Sequence, residues 1–151
     1  YLYANHTINR SSTAAAVVFL GVRQGEDPAR SLMWVIPGEP VCGVAIPLWA
    51  DAGEVPAEIS AGKSAPMFLE TMRLKKRLRP FRDAERFDYL DLTKLDNRAG
   101  SGWLPSHLKL EREIFEKTEQ FLNTNPGRSQ KAEFQRRIAA EVLAYLKSIG
   151  D

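Results

Sequence analysis

Residues 11–49, SSTAAAVVFLGVRQGEDPARSLMWVIPGEPVCGVAIPLW, constrain the fold more than any other stretch. Three apolar runs are separated by two short turns rich in glycine and proline. Such connections are too short for a parallel crossover, so the runs must pair as an antiparallel meander. The first run, 13–22, is apolar at nearly every position through Ala14, Ala15, Ala16, Val17, Val18, Phe19 and Leu20. Its length and β-branched content predict a strand covered on both faces, although alanine is a poor strand former. Small residues there would let a neighbour pack close. The turn at 25–30 has Gly25, Asp27 and Pro28, and the turn at 37–40 has Pro37, Gly38 and Pro40; these residues bend or arrest the chain. The second strand is expected over 32–36 and the third over 41–49. In the third, Val44, Ile46 and Leu48 alternate with Gly43, Ala45 and Pro47. Pro47 has no N–H for a ladder, so it points to an edge or a bulge.

Residues 51–65 are rich in Gly, Ala, Ser and Pro and read as a surface loop with at most a helical turn. Helices are expected over 66–79, 106–122 and 129–149. Pro66 suits a first helical position, and Pro80 ends the first of them. Phe68, Leu69 and Met72 are its expected inward residues. Leu110, Ile114, Phe121 and Leu122 share a face of the second, with Ser106 as N-cap. In the third, Phe134, Ile138, Val142, Tyr145, Leu146 and Ile149 make the clearest helical stripe of the chain. The break at 123–129 is short, so these last two helices should be antiparallel neighbours. Residues 2–10 read as a strand end or loop, and 87–95 as a short strand or extended segment. The expectation is an α+β fold, an antiparallel β-meander with packed helices.

At 151 residues the chain fits one domain, long enough to bury roughly two-thirds of its unfolded surface. A net charge of +2 does not imply a nucleic-acid partner. No apolar run reaches the roughly 18 residues of a membrane span. The single cysteine, Cys42, excludes an intramolecular disulfide. Two histidines and one cysteine give no metal-ligand spacing, and no cofactor is implied. The first residue is Tyr1, and the opening YLYANHTINR has no basic or apolar region of a signal peptide. The expectation is a fragment or processed chain, the C-terminal part of a longer protein.

His6, Asn9, Arg10, Ser11, Ser12 and Thr13 make the densest polar cluster beside an apolar strand. Arg10, with Asn9 beside it, is the candidate to orient a substrate or an oxyanion; the plainer reading is a polar strand end at the surface. Cys42 sits between Val41 and Gly43 in an apolar run and reads as a small buried hydrophobe rather than a nucleophile. The cations at 73–82 (Arg73, Lys75, Lys76, Arg77, Arg79, Arg82) read as a solvated helix face that the acidic residues after Pro80 can pair with. The competing functional reading is a non-catalytic interaction domain that binds an anionic partner through this basic helix. Trp34, Trp49 and Trp103 are read as core before pocket.

The Arg-Ser-Ser-Thr of 10–13, the apolar strand after it, the Gly-Val-Arg-Gln-Gly-Glu-Asp-Pro turn and the Met-Trp strand leading to Ala-Ile-Pro-Leu-Trp resemble one family. It is the C-terminal part of Ntn-hydrolase-fold proteins of the linear amide hydrolase type, similar to choloylglycine hydrolases and to acyl-CoA:6-aminopenicillanic acid acyltransferase. The match covers about a quarter of the chain. The resemblance implies an αββα sandwich and cleavage, or acyl transfer, at a non-peptide amide of a small-molecule substrate. The family's nucleophile is an N-terminal residue freed by self-cleavage. Tyr1 cannot serve, so the resemblance places the nucleophile on an upstream part of the same protein, or makes this an inactive relative. It puts no catalytic residue in this segment, which alone is expected to be inactive. Arg10, and more weakly Asn9, are the site residues it carries over.

Overall fold

The computed structural model describes residues 1–83 and 85–150. It is a mixed α and β structure with small antiparallel sheets and helices packed against them. The meander is present. Strands β2 (Ala15–Leu20), β3 (Leu32–Pro37) and β4 (Ile46–Leu48) form an antiparallel sheet in that order. Its register pairs Val18 with Trp34 and Trp34 with Pro47. A second sheet joins β1 (Leu2–Tyr3) to β5 (Tyr89–Leu90), so the segment read as a strand end or loop pairs with the one read as a short strand or extended segment.

Two features of the meander differ from expectation. Val17, Val18, Phe19 and Leu20 are exposed, so β2 is not covered on both faces. The third strand is three residues long rather than nine. Pro40–Cys42 is a 3-10 turn instead. Val41 is drawn out of the ladder because its N–H donates to Asn9 Oδ1 and its carbonyl accepts from Trp103 Nε1. Gly38 lets the β3–β4 turn form: its φ is +84°, and a Cβ there would sit 2.5 Å from the Thr71 hydroxyl.

Short helices α1 (Ala57–Ser60) and α3 (Leu92–Leu95) lie in the connections. The long ones are α2 (Pro66–Leu78), α4 (Leu104–Leu122) and α5 (Arg128–Ser148), close to the expected spans. Helix α4 begins before Ser106, which therefore is not its cap; Pro105 fits the first turn, where no N–H is needed. Helix α2 turns Met67, Thr71, Leu74 and Leu78 inward, one step from the expected row, and Leu69 is exposed. Thr71 is tolerated there because its hydroxyl donates to the Phe68 carbonyl.

Helix α5 is the centre of the molecule and packs on α2, α1 and β4. Phe134, Ile138, Val142 and Leu146 are buried along it, as the stripe predicts, with Tyr145 and Ile149 half-buried. It runs antiparallel to α4. Phe121 stacks on Phe134 at 4.2 Å, Lys117 pairs with Glu141 at 2.7 Å, and His107 meets Tyr145 at the far end. The core continues through Ile46, Trp49, Met67, Leu74 and Ile114. No helix among the described residues is long and apolar enough to cross a membrane.

Candidate functional site

The polar segment 9–11 meets the β3–β4 turn and the end of α2 at a buried ion pair. Arg79 and Glu39 are both fully enclosed. Arg79 Nε and Nη2 donate to the two Glu39 carboxylate oxygens at 3.1 and 2.8 Å. The guanidinium also donates to the carbonyls of Phe87 and Asn9. Lys75 Nζ lies 3.7 Å from Glu39 and donates to the Ser11 carbonyl. A buried charge pair survives only when its remaining donors are used, and here they hold four chain segments together. Asn9 belongs to this junction through its backbone and its Oδ1. Arg10 is exposed and its side chain makes no hydrogen bond or ion pair among the described residues. The arginine built into the interior is Arg79.

The cations of α2 fall in two rows. Arg73 donates to the Leu146 and Ile149 carbonyls, and Arg77 to that of Gly150. These cap the C-terminal end of α5, where carbonyls lack partners and a positive charge is favoured. Lys75 and Arg79 form the other row, at the junction. Arg82 closes the carbonyls of Lys76 and Arg79. Most of the basic run therefore serves the chain's own backbone and Glu39. The expected acidic partners after Pro80 are not used by Arg79; Asp83 pairs with Arg86, which holds the Asp83 carboxyl below its ordinary range.

Cys42 is in the core. Burial first, and then the Glu39 carboxylate, push its thiol far above the ordinary range, so it stays protonated and inert. The fold brings His107 beside it, although 65 positions separate them in the sequence. His107 Nδ1 lies 2.8 Å from Tyr145 Oη, and the buried Nε2 has no hydrogen-bond partner among the described residues. Burial lowers the His107 pKa to about 4 and, for Tyr145, raises it to about 12. Imidazole and phenol are both neutral near pH 7, which suits a core contact rather than an acid–base pair. Among the described residues no cluster of His, Cys, Asp or Glu could hold a metal ion.

The other candidate is a trough on one face of the meander. Phe19, Met33 and Leu48 are cross-strand partners and form its floor. Trp49 and Val55 form its wall, and its volume is about 440 Å³. Among the described residues Glu54 is the one charged side chain lining it, and that carboxylate pairs with Arg136 at 2.7 Å. The trough is of ligand size and apolar, with the sheet as a rigid base. Trp49 thus lines a pocket while being 2% exposed, so the core and pocket readings both hold for it.

The basic run reads in the sequence as a solvated face, but Arg79 within it is buried; Glu39 and the trough are not marked by the sequence reading. A carboxylate between Gly38 and Pro40, inside an apolar stretch, was the available signal for Glu39. No local pattern marks its partner, 40 positions away. No family model, curated protein or solved structure matches the chain.

Proposed function

We propose that this chain is the C-terminal segment of an Ntn-type amidohydrolase or acyltransferase that acts on linear amides, completed by an upstream part of the same protein that carries the nucleophile. The observation that carries this reading is the open apolar trough on the meander. It offers a rigid wall for the acyl portion of an amide. Cys42 is closed in the core with its thiol protonated, so the reading assigns the nucleophile elsewhere. In the αββα arrangement implied by the resemblance, a second sheet would face the meander and close the trough. Arg10, exposed beside β2, would then meet the substrate's carboxylate or a nearby carbonyl, tasks for which a planar guanidinium fork is suited.

The test is turnover of a panel of N-acyl amino acids and bile-acid conjugates. The protein expressed with its upstream coding sequence is expected to hydrolyse members of the panel, and the 151-residue chain none. Arg10→Ala should lower turnover with an unchanged thermal melt. Met33→Trp, which fills the trough floor, should reduce turnover of long-chain amides more than short ones. Activity from the 151-residue chain alone, or none from the longer protein, would overturn the assignment.

A further inference from the structure

The two edges of the three-stranded sheet are treated in opposite ways. Gly38 N–H donates to the Ala14 carbonyl, which sets the phase of the β2–β3 ladder. With the observed register, even-numbered residues of β2 turn their backbone groups toward β3. On β4 the same phase turns residues 45, 47 and 49 outward. Their N–H groups are all accounted for: Ala45 N–H donates to Glu111 Oε1 at 2.9 Å, Pro47 has no N–H, and Trp49 N–H donates to Gln135 Oε1 at 3.3 Å. The β4 edge is closed by side chains of α4 and α5. On β2 the outward residues are Ala15, Val17 and Phe19, and no group among the described residues takes their N–H or C=O. The strand reads AAVVFL, with no charge, proline or bulge to guard it. Val17, Val18, Phe19 and Leu20 remain 45, 63, 79 and 53% exposed.

We propose that β2 pairs antiparallel with β2 of a second copy of this chain, across a two-fold axis at Val17, making one six-stranded sheet. The sequence of the strand is complementary to itself in size. Residues 14–16 are all alanine, while 18–20 are Val, Phe and Leu. A two-fold at Val17 sets Ala15 against Phe19, Ala16 against Val18 and Ala14 against Leu20 of the other copy. This register also joins all three outward-facing residues in hydrogen-bonded pairs. Directly opposed residues share a face, so both troughs lie on the same side and Ala15 of the second copy extends the floor beside Phe19. A standard interface buries about 800 Å² per partner, more than one strand offers, so the dimer is weak, with a dissociation constant on the order of 10 µM. The proposal does not rest on the enzymatic reading, and it is tested without any activity.

Sedimentation equilibrium of the 151-residue chain should show a monomer–dimer equilibrium. Val17→Pro removes an outward N–H that β3 does not use, and should raise the dissociation constant at least about tenfold. Val17→Asp should do the same by setting two like charges directly opposite each other at the two-fold. Mixing the Val17→Asp and Val17→Lys proteins exchanges like for opposite charges and should restore association as a mixed dimer. Val17→Cys should cross-link copies on mild oxidation, because the paired Cα atoms would be about 5.5 Å apart; Cys42 is buried and does not compete. Circular dichroism and melts control for folding. A monomer at about 100 µM, a dimer indifferent to both single substitutions, failure of the exchange to restore association, or assembly beyond the dimer would each overturn the proposal.

Discussion

Arg10 and Arg79 separate what a side chain is from where it is. Both are arginines flanking apolar segments, yet one is solvated and the other wholly enclosed with Glu39. Arg79→Ala should destabilise the chain by about 3–5 kcal/mol, since it strands a buried carboxylate. Replacing both partners with apolar residues (Arg79→Met with Glu39→Leu) should recover much of that loss. Arg10→Ala should stay within about 0.5 kcal/mol. Urea denaturation of the four proteins decides the matter, and comparable losses for the two single arginine variants would refute the assignment. His107 gives a pH signature. Its pKa is about 4 when folded, against an ordinary 6.5. Between those values the unfolded chain binds the proton and the folded one does not, so stability rises with pH. It is fully present above 6.5, falls by about 3 kcal/mol as the pH drops to 4, and is flat below. His107→Gln should remove this slope from denaturation curves measured across the window. A slope that persists unchanged would assign it to another group.

Helix α5 is the element on which the others depend. Its apolar stripe was legible from spacing alone, because four buried residues repeat at steps of four. Ile138→Ala should cost about 2–5 kcal/mol by opening a cavity between α5 and its neighbours; a loss below about half a kcal/mol in chemical denaturation would contradict its burial. The same helix carries a function that no hydrophobic pattern reveals. Gln135, buried among the apolar residues, accepts from Trp49 and donates to the Glu54 carbonyl at 2.7 Å. The β2 strand was legible as a strand but not as an edge. Its continuous apolar run resembles that of a strand covered on both faces, and only the sheet order shows that no strand among the described residues pairs beyond it.

For the whole molecule, amide hydrogen exchange should grade the fold. Slowest exchange is expected in α5, α2 and around Ile46, where the core is densest, and fast exchange in β1 and β5. Within β2 of the dilute monomer, Val18 should be protected through β3 and Val17 and Phe19 should not; uniform protection along β2 would contradict the ladder phase. By itself the sequence determined the antiparallel meander, the three long helices and the pairing of α4 with α5. Each follows from interactions within a few residues: a turn too short to cross over, a proline that ends a helix, an apolar repeat that commits one face. Only the tertiary structure decided which arginine is buried, which edge of the sheet is closed and which is left open, and that His107 reaches the backbone of Cys42. The groups responsible are far apart along the chain, 40 positions for Glu39 and Arg79 and 86 for Trp49 and Gln135. Their partnership is a property of packed layers, which bring together residues that no local periodicity relates.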